Sequence, residues 1–126
     1  MPERNWPMRR EPLEGLRLKD SMKKEISLAE HPMIKNLQKD HPDLRIIDDG
    51  EKLEYYRYDL NVDLPPLVRD LFLQSKPDLV VQPTKEQEIV DVFGLARREK
   101  IPLTLRGAGT TGYGGAVPTR GGILLD

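Results

Sequence analysis

At 126 residues the chain is long enough for one small domain with a modest core. Charged residues are 33%, hydrophobic residues 37% and the net charge is −1, a soluble composition that implies no polyanion or membrane surface as a partner. There is no cysteine, which removes disulfides, cysteine-ligated metals, Fe–S clusters and thiol nucleophiles, and fits a reducing compartment.

No apolar run approaches the length of a membrane-spanning helix. Met1 to Pro12 carries three prolines and three arginines but no apolar core, so it reads as an extended arm rather than a secretory signal. Trp6 either anchors that arm or is exposed. Leu13, Leu16, Met22 and Ile26 fall near one face of a helix predicted from Leu13 to Leu28, with Lys19, Lys23 and Lys24 on a solvated face. A second helix is expected from Pro32 to Lys39. His31 and His41 each precede a proline, which disfavours the helical region, so both mark helix boundaries. Neither has a partner at metal-ligand spacing, and no metal site is expected.

Leu44 to Ile47 is a short apolar run closed by Asp48-Asp49-Gly50, a strand or turn signal. Leu53 and Tyr56 share a helical face, and Tyr55, Tyr56 and Tyr58 read as ordinary packing of amphipathic rings. Pro65-Pro66 opens a short helix, Leu67 to Leu73, which Ser75-Lys76-Pro77 ends. This is the expected internal boundary: residues 1–75 form a mostly helical N-terminal extension, and residues 76–126 a separate unit.

From Lys76 onward the pattern sharpens. Leu79-Val80-Val81-Gln82 is a buried-type strand stopped by Pro83. Thr84 with Gln87 three residues later reads as a capping box. The helix it opens runs from Lys85 to Glu99, with Ile89, Val92, Phe93 and Ala96 as its apolar face and Arg97, Arg98 and Lys100 near its negative end. Leu103 to Leu105 is the next strand, completing a βαβ-sized unit.

That strand runs into Arg106-Gly107-Ala108-Gly109-Thr110-Thr111-Gly112-Tyr113-Gly114-Gly115. Glycines allow close backbone approach to a ligand, and successive N–H groups can converge on an anion. Gly107 and Gly112 have P-loop spacing, but Tyr113 replaces the lysine that reaches phosphate. Gly107, Gly109 and Gly112 fit GxGxxG, with Asp126 downstream, yet that fingerprint requires a helix next. Gly114, Gly115, Pro118, Gly121 and Gly122 forbid one, at about 1 kcal/mol per glycine and about 3 for an interior proline. What remains is strand, long glycine loop, strand (Ile123 to Leu125), the loop being either a phosphate cradle or a structural turn.

The segment from Lys76 to Asp126 resembles the opening of the FAD-binding domain of FAD-linked oxidases, the PCMH-type fold of vanillyl-alcohol oxidase, p-cresol methylhydroxylase and the glycolate oxidase and D-lactate dehydrogenase flavoprotein subunits. The likeness rests on order and spacing: Val81-Gln82-Pro83, the capped helix, Ile101-Pro102, RGAGTTGYGGAVP and GGILLD. Tyr58-Asp59 also resembles a Tyr-x-x-Asp segment found upstream of that domain, at a different spacing. The fold class implied is α/β, or α+β: the βαβ start of a PCMH-type domain behind a helical extension.

The resemblance further implies that backbone N–H groups of Arg106 to Gly112 cradle the FAD pyrophosphate, with Thr110 and Thr111 adding hydroxyls. Arg106 either offers charge to the phosphates or closes a salt bridge at the strand end. Tyr113 belongs to the same loop, Gly114 and Gly115 let the chain pass under the flavin, and Pro83 lies by the cavity. Relatives with covalent flavin carry His where Thr110 falls, so non-covalent FAD is implied. The chain stops midway through what such a domain requires, so the substrate and proton-transfer residues lie in a longer protein, and the fragment alone is expected to be inactive. The function implied is oxidation of a 2-hydroxy acid by hydride transfer to flavin, in the cytoplasm or peripheral to a membrane through a partner subunit, with an electron acceptor and no nucleic acid. Two other readings stay open: a non-enzymatic interaction or assembly subunit with a structural loop, and an NADPH-using carbohydrate or cell-wall reductase on the same fold.

Overall fold

A computed structural model describes residues 27–60, 65, 67, 76–112 and 114–126. The expected N-terminal arm, Trp6, the lysine cluster, nearly all of the helix at Leu13 to Leu28 and of that at Leu67 to Leu73, and Tyr113 lie outside the described residues.

A 3₁₀ turn, Leu28–Glu30, leads into α1, Pro32–Asp40. Proline at the first helical position suits its fixed φ. His31 is the N-cap, its Nδ1 accepting from the Met33 N–H at 3.3 Å, and His41 is the C-cap. The two histidines thus delimit the helix. Strand β1, Arg45–Ile47, follows, then α2, Gly50–Tyr55, capped by Asp49, whose Oδ1 accepts from the Glu51 N–H at 3.1 Å. The second half holds β2, Leu79–Gln82; α3, Glu86–Glu99; β3, Leu103–Leu105; and β4, Ile123–Leu125.

The four strands form one sheet in the order β1-β2-β4-β3. β2, β4 and β3 are parallel, and β1 pairs antiparallel with the outer side of β2, Ile46 opposite Val81. An antiparallel edge strand on a parallel sheet is common in α/β folds. β4 enters between β2 and β3 by way of residues 106–122, without a crossover helix.

Alternation along the strands divides the core in two. Leu79, Val81, Ile123 and Leu125 point to one face, where Ile34, Leu37 and Leu44 from the α1 region and Val92 and Leu95 of α3 cover them. Val80 and Leu124 point to the other face and pack with Ile47, Leu53 and Tyr56. With both faces covered, β2 and β4 read as unbroken apolar runs, as parallel strands buried on both sides do. Each such side chain contributes about 1.5–3 kcal/mol by leaving water.

Helix α3 differs in two details from its sequence reading. Its N-cap is Lys85, not Thr84, and its third helical residue is Glu88, not Gln87. A lysine side chain has no acceptor for the helix N–H groups. The cap is therefore the returning half alone: Glu88 Oε2 accepts from the Thr84 N–H at 2.7 Å and the Lys85 N–H at 3.0 Å. The buried stripe is Glu88, Val92, Leu95 and Ala96, while Ile89 and Phe93 stay exposed. The helix ends at Lys100, in the left-handed region (φ 54°), and Pro102 follows.

Candidate functional site

The three parallel strands share a pattern: each three-residue stretch is followed by a polar residue at the same edge. LVV closes on Gln82, LTL on Arg106 and ILL on Asp126. The strand pairings stop at Val81 opposite Leu125 and Leu105 opposite Leu125, so these three residues come next in adjacent strands. The Arg106 N–H donates to Leu125 O at 2.8 Å, and the Asp126 N–H to Val81 O at 3.0 Å. In α/β sheets this carboxyl edge is where ligands bind. Pro83 and the loop from Arg106 to Gly112, expected at one cavity, both leave the sheet here.

A polar cluster closes the edge. Gln82 Nε2 donates to Asp126 Oδ2 at 2.8 Å and to Tyr56 Oη at 3.1 Å, and the Tyr56 hydroxyl donates to Asp126 Oδ2 at 3.1 Å. Burial, followed by the hydrogen bond to the Asp126 carboxylate, pushes the Tyr56 phenol above its ordinary value. The sequence reading gave Tyr56 to packing and left Gln82 and Asp126 without a site role. The polar residue following each three-residue stretch was the signal available for the latter two; the Tyr56 contact is long-range and left none.

Arg106 is committed within the fold. Its Nη1 donates to Tyr58 O at 2.7 Å, and its guanidinium lies 5.5 Å from the Tyr55 ring centroid and 5.3 Å from that of Tyr56. The two rings meet edge to face. The same guanidinium lies over Gly109, which has φ 67° and is buried, so a side chain there meets both backbone strain and the arginine. Thr111, although exposed, is bonded back to residues 59–60: its Oγ1 donates to Asp59 Oδ2 at 2.5 Å, and its carbonyl accepts from the Leu60 N–H at 3.1 Å.

The remaining loop positions face outward. Gly107, Ala108, Thr110 and Gly112 are exposed. At Gly107 and Gly112 an added Cβ meets no atom within 4 Å, and neither has a positive φ. Among the described residues, nothing requires glycine at either position. A backbone with outward-facing glycines leaves room for a ligand such as a pyrophosphate to approach closely. Gly114 takes φ 78°, while Gly115 is exposed beside Thr111. Near Pro83, Glu88 Oε2 already takes the Thr84 and Lys85 N–H groups that precede α3.

Comparison with known proteins converges on the same segment. Residues 77–126 match the FAD binding domain family. D-lactate dehydrogenase of Archaeoglobus fulgidus is 35% identical over 82 residues, covering 65% of this chain and 17% of that protein. Glycolate oxidase subunit GlcD of Bacillus subtilis is 38% identical over 52 residues, 41% of this chain and 11% of that protein. Among solved structures, alkyldihydroxyacetonephosphate synthase superposes with a TM-score of 0.60 at 22% identity, over 75% of this chain and 19% of that one. That likeness bears on fold alone, and it agrees with an α/β domain of the PCMH type. The chain thus spans less than a fifth of the length of each of these relatives. Residues 77–126 thus match the sequence pattern of an FAD binding domain. The outward glycines at 107 and 112 fit that cofactor.

Proposed function

We propose that this chain, carrying an FAD-binding-domain segment of the FAD-linked oxidase type, contributes the pyrophosphate cradle of a flavoenzyme that oxidises a small 2-hydroxy acid. The observation that carries the reading is the loop at the carboxyl edge of the sheet, where Gly107 and Gly112 are exposed and, among the described residues, meet nothing that requires glycine. The backbone from Gly107 to Gly112 binds the pyrophosphate, Thr110 donates its hydroxyl, and Pro83 borders the cavity. FAD, when bound, accepts a hydride from the substrate carbon and passes electrons on. The names of the D-lactate dehydrogenase and glycolate oxidase relatives support the substrate class. Thr110 supports non-covalent attachment, since a threonine forms no histidyl link to flavin.

The test uses the whole protein in which this segment occurs. FAD binds saturably and acid releases it into the supernatant. D-lactate or glycolate, added without oxygen, bleaches the oxidised flavin absorption. Gly107→Val and Gly112→Val weaken FAD binding by tenfold or more while the melting of the flavin-free protein stays unchanged, because each added side chain enters open space. Equal FAD affinity in both variants would remove the loop from the cofactor site, and flavin that neither acid bleaches would remove the substrate class.

A further inference from the structure

We propose that Asp59 and Thr111 form a clamp that sets the shape of the glycine loop, and that the Thr111 side chain acts on the cofactor through this clamp rather than by touching it. The inference rests on the flavin reading above. Three hydrogen bonds tie residues 58–60, far upstream, to the loop. Asp59 Oδ2 accepts from Thr111 Oγ1 at 2.5 Å, the Leu60 N–H donates to Thr111 O at 3.1 Å, and Tyr58 O accepts from Arg106 Nη1 at 2.7 Å. They hold the loop at two points, Arg106 where it leaves β3 and Thr111 five residues further on.

The chemistry of Thr111 divides the two hydroxyls of the loop. A hydroxyl has one proton to donate. That of Thr111 goes to a carboxylate, a short and charge-assisted bond. Its donor capacity is therefore used, and its remaining lone pairs repel a phosphate oxygen. Thr110, exposed on the outer side, keeps its proton for a ligand. Asp59 is only 8% exposed, so its negative charge sits beneath the loop rather than beside an incoming anion. A loop held open before binding spares the ordering entropy that a slack glycine segment loses on binding.

Two readouts separate the clamp from the flavin reading. The first needs no flavin: exchange of the Leu60 amide, which donates to Thr111, followed by NMR or mass spectrometry. The second is FAD affinity of the whole protein by titration. Thr111→Val and Asp59→Ala each speed Leu60 exchange about tenfold and weaken FAD binding about tenfold, and the double variant is no worse than either single one. Thr111→Ser, which keeps the hydroxyl, restores both. Thr110→Val weakens FAD binding with Leu60 exchange unchanged. Thr111 is exposed, so its variants stay folded. If Thr111→Val weakens FAD without altering Leu60 exchange, Thr111 is a direct ligand and the clamp is wrong. Unchanged FAD affinity in Thr111→Val overturns the clamp alone, whereas a wild-type protein that binds no FAD overturns the flavin reading and this proposal with it.

Discussion

Glu88 is fully buried, although it is a glutamate in the apolar stripe of a helix. It stays charged because one oxygen takes the Thr84 and Lys85 N–H groups, donors that the start of α3 would otherwise leave unsatisfied. The bond from the Thr84 N–H is the main cause that holds its carboxyl below the ordinary value of 4.5, overcoming the desolvation that would raise it. A depressed folded value means that the contribution is present above the unfolded value and is lost as pH falls through the folded one. Glu88→Gln therefore melts at a lower temperature than wild type at pH 7, and the gap narrows as pH drops below about 4.5. Thermal melts from pH 7 to pH 3 test this; a gap of constant size would show that packing, not charge, is what the glutamine loses. The sequence holds the clue in Thr84-Lys85-Glu86-Gln87-Glu88, but it offers two caps one residue apart. Both Gln87 and Glu88 can bond back to the chain, and only the tertiary setting selects the deeper one.

At the scale of elements, the punctuation of the second half was legible and the facing was not. Pro83, Pro102 and the glycines bound β2, α3, β3 and β4 where the sequence places them. Ile89, Val92, Phe93 and Ala96 make one helical stripe, and Glu88, Val92, Leu95 and Ala96 make another turned from it. The periodicity admits both, and counting hydrophobic residues favours the wrong one because the buried stripe contains a carboxylate. β4 owes its position to Gly122, whose φ is 76° and whose missing Cβ would collide with Pro102 O. That carbonyl accepts from the Ile123 N–H at 2.9 Å, while the Gly122 N–H donates to Asp78 Oδ2 at 2.6 Å. A side chain there forces the central strand off its neighbour. Gly122→Ala should cost about 2 kcal/mol or more in denaturant unfolding, from backbone strain together with the collision. Gly50→Ala is the control: it opens α2 in free space, so it should be neutral or stabilising by up to about 1 kcal/mol. Equal costs at the two positions would mean that the loop before β4 relaxes around the methyl group.

At the scale of the whole molecule, the sheet is assembled from residues on both sides of the stretch around Lys76. β1 pairs along the free side of β2, and Tyr56 reaches Asp126 across the chain. Such contacts were not legible, because a three-residue strand such as Arg45–Ile47 does not name its partner strand and a tyrosine does not name its acceptor. Ile34, Leu37 and Leu44 lie on one face of the sheet, and Ile47, Leu53 and Tyr56 on the other; all are buried. At about 1.5–3 kcal/mol each, their burial is comparable to or larger than the roughly 5–15 kcal/mol by which a whole domain is stable. Residues 58–60 also supply the bonds to Arg106 and Thr111. A protein shortened to begin at Lys76 should therefore lose its cooperative thermal transition, and with it any FAD binding, whereas one beginning at Ser27 should keep both. The comparison is a pair of circular-dichroism melts with flavin titrations on the two shortened proteins. Cooperative melting of the shorter one would show that residues 76–126 close their own core. Folding without FAD binding would place the contribution of residues 27–60 in the loop rather than in the sheet.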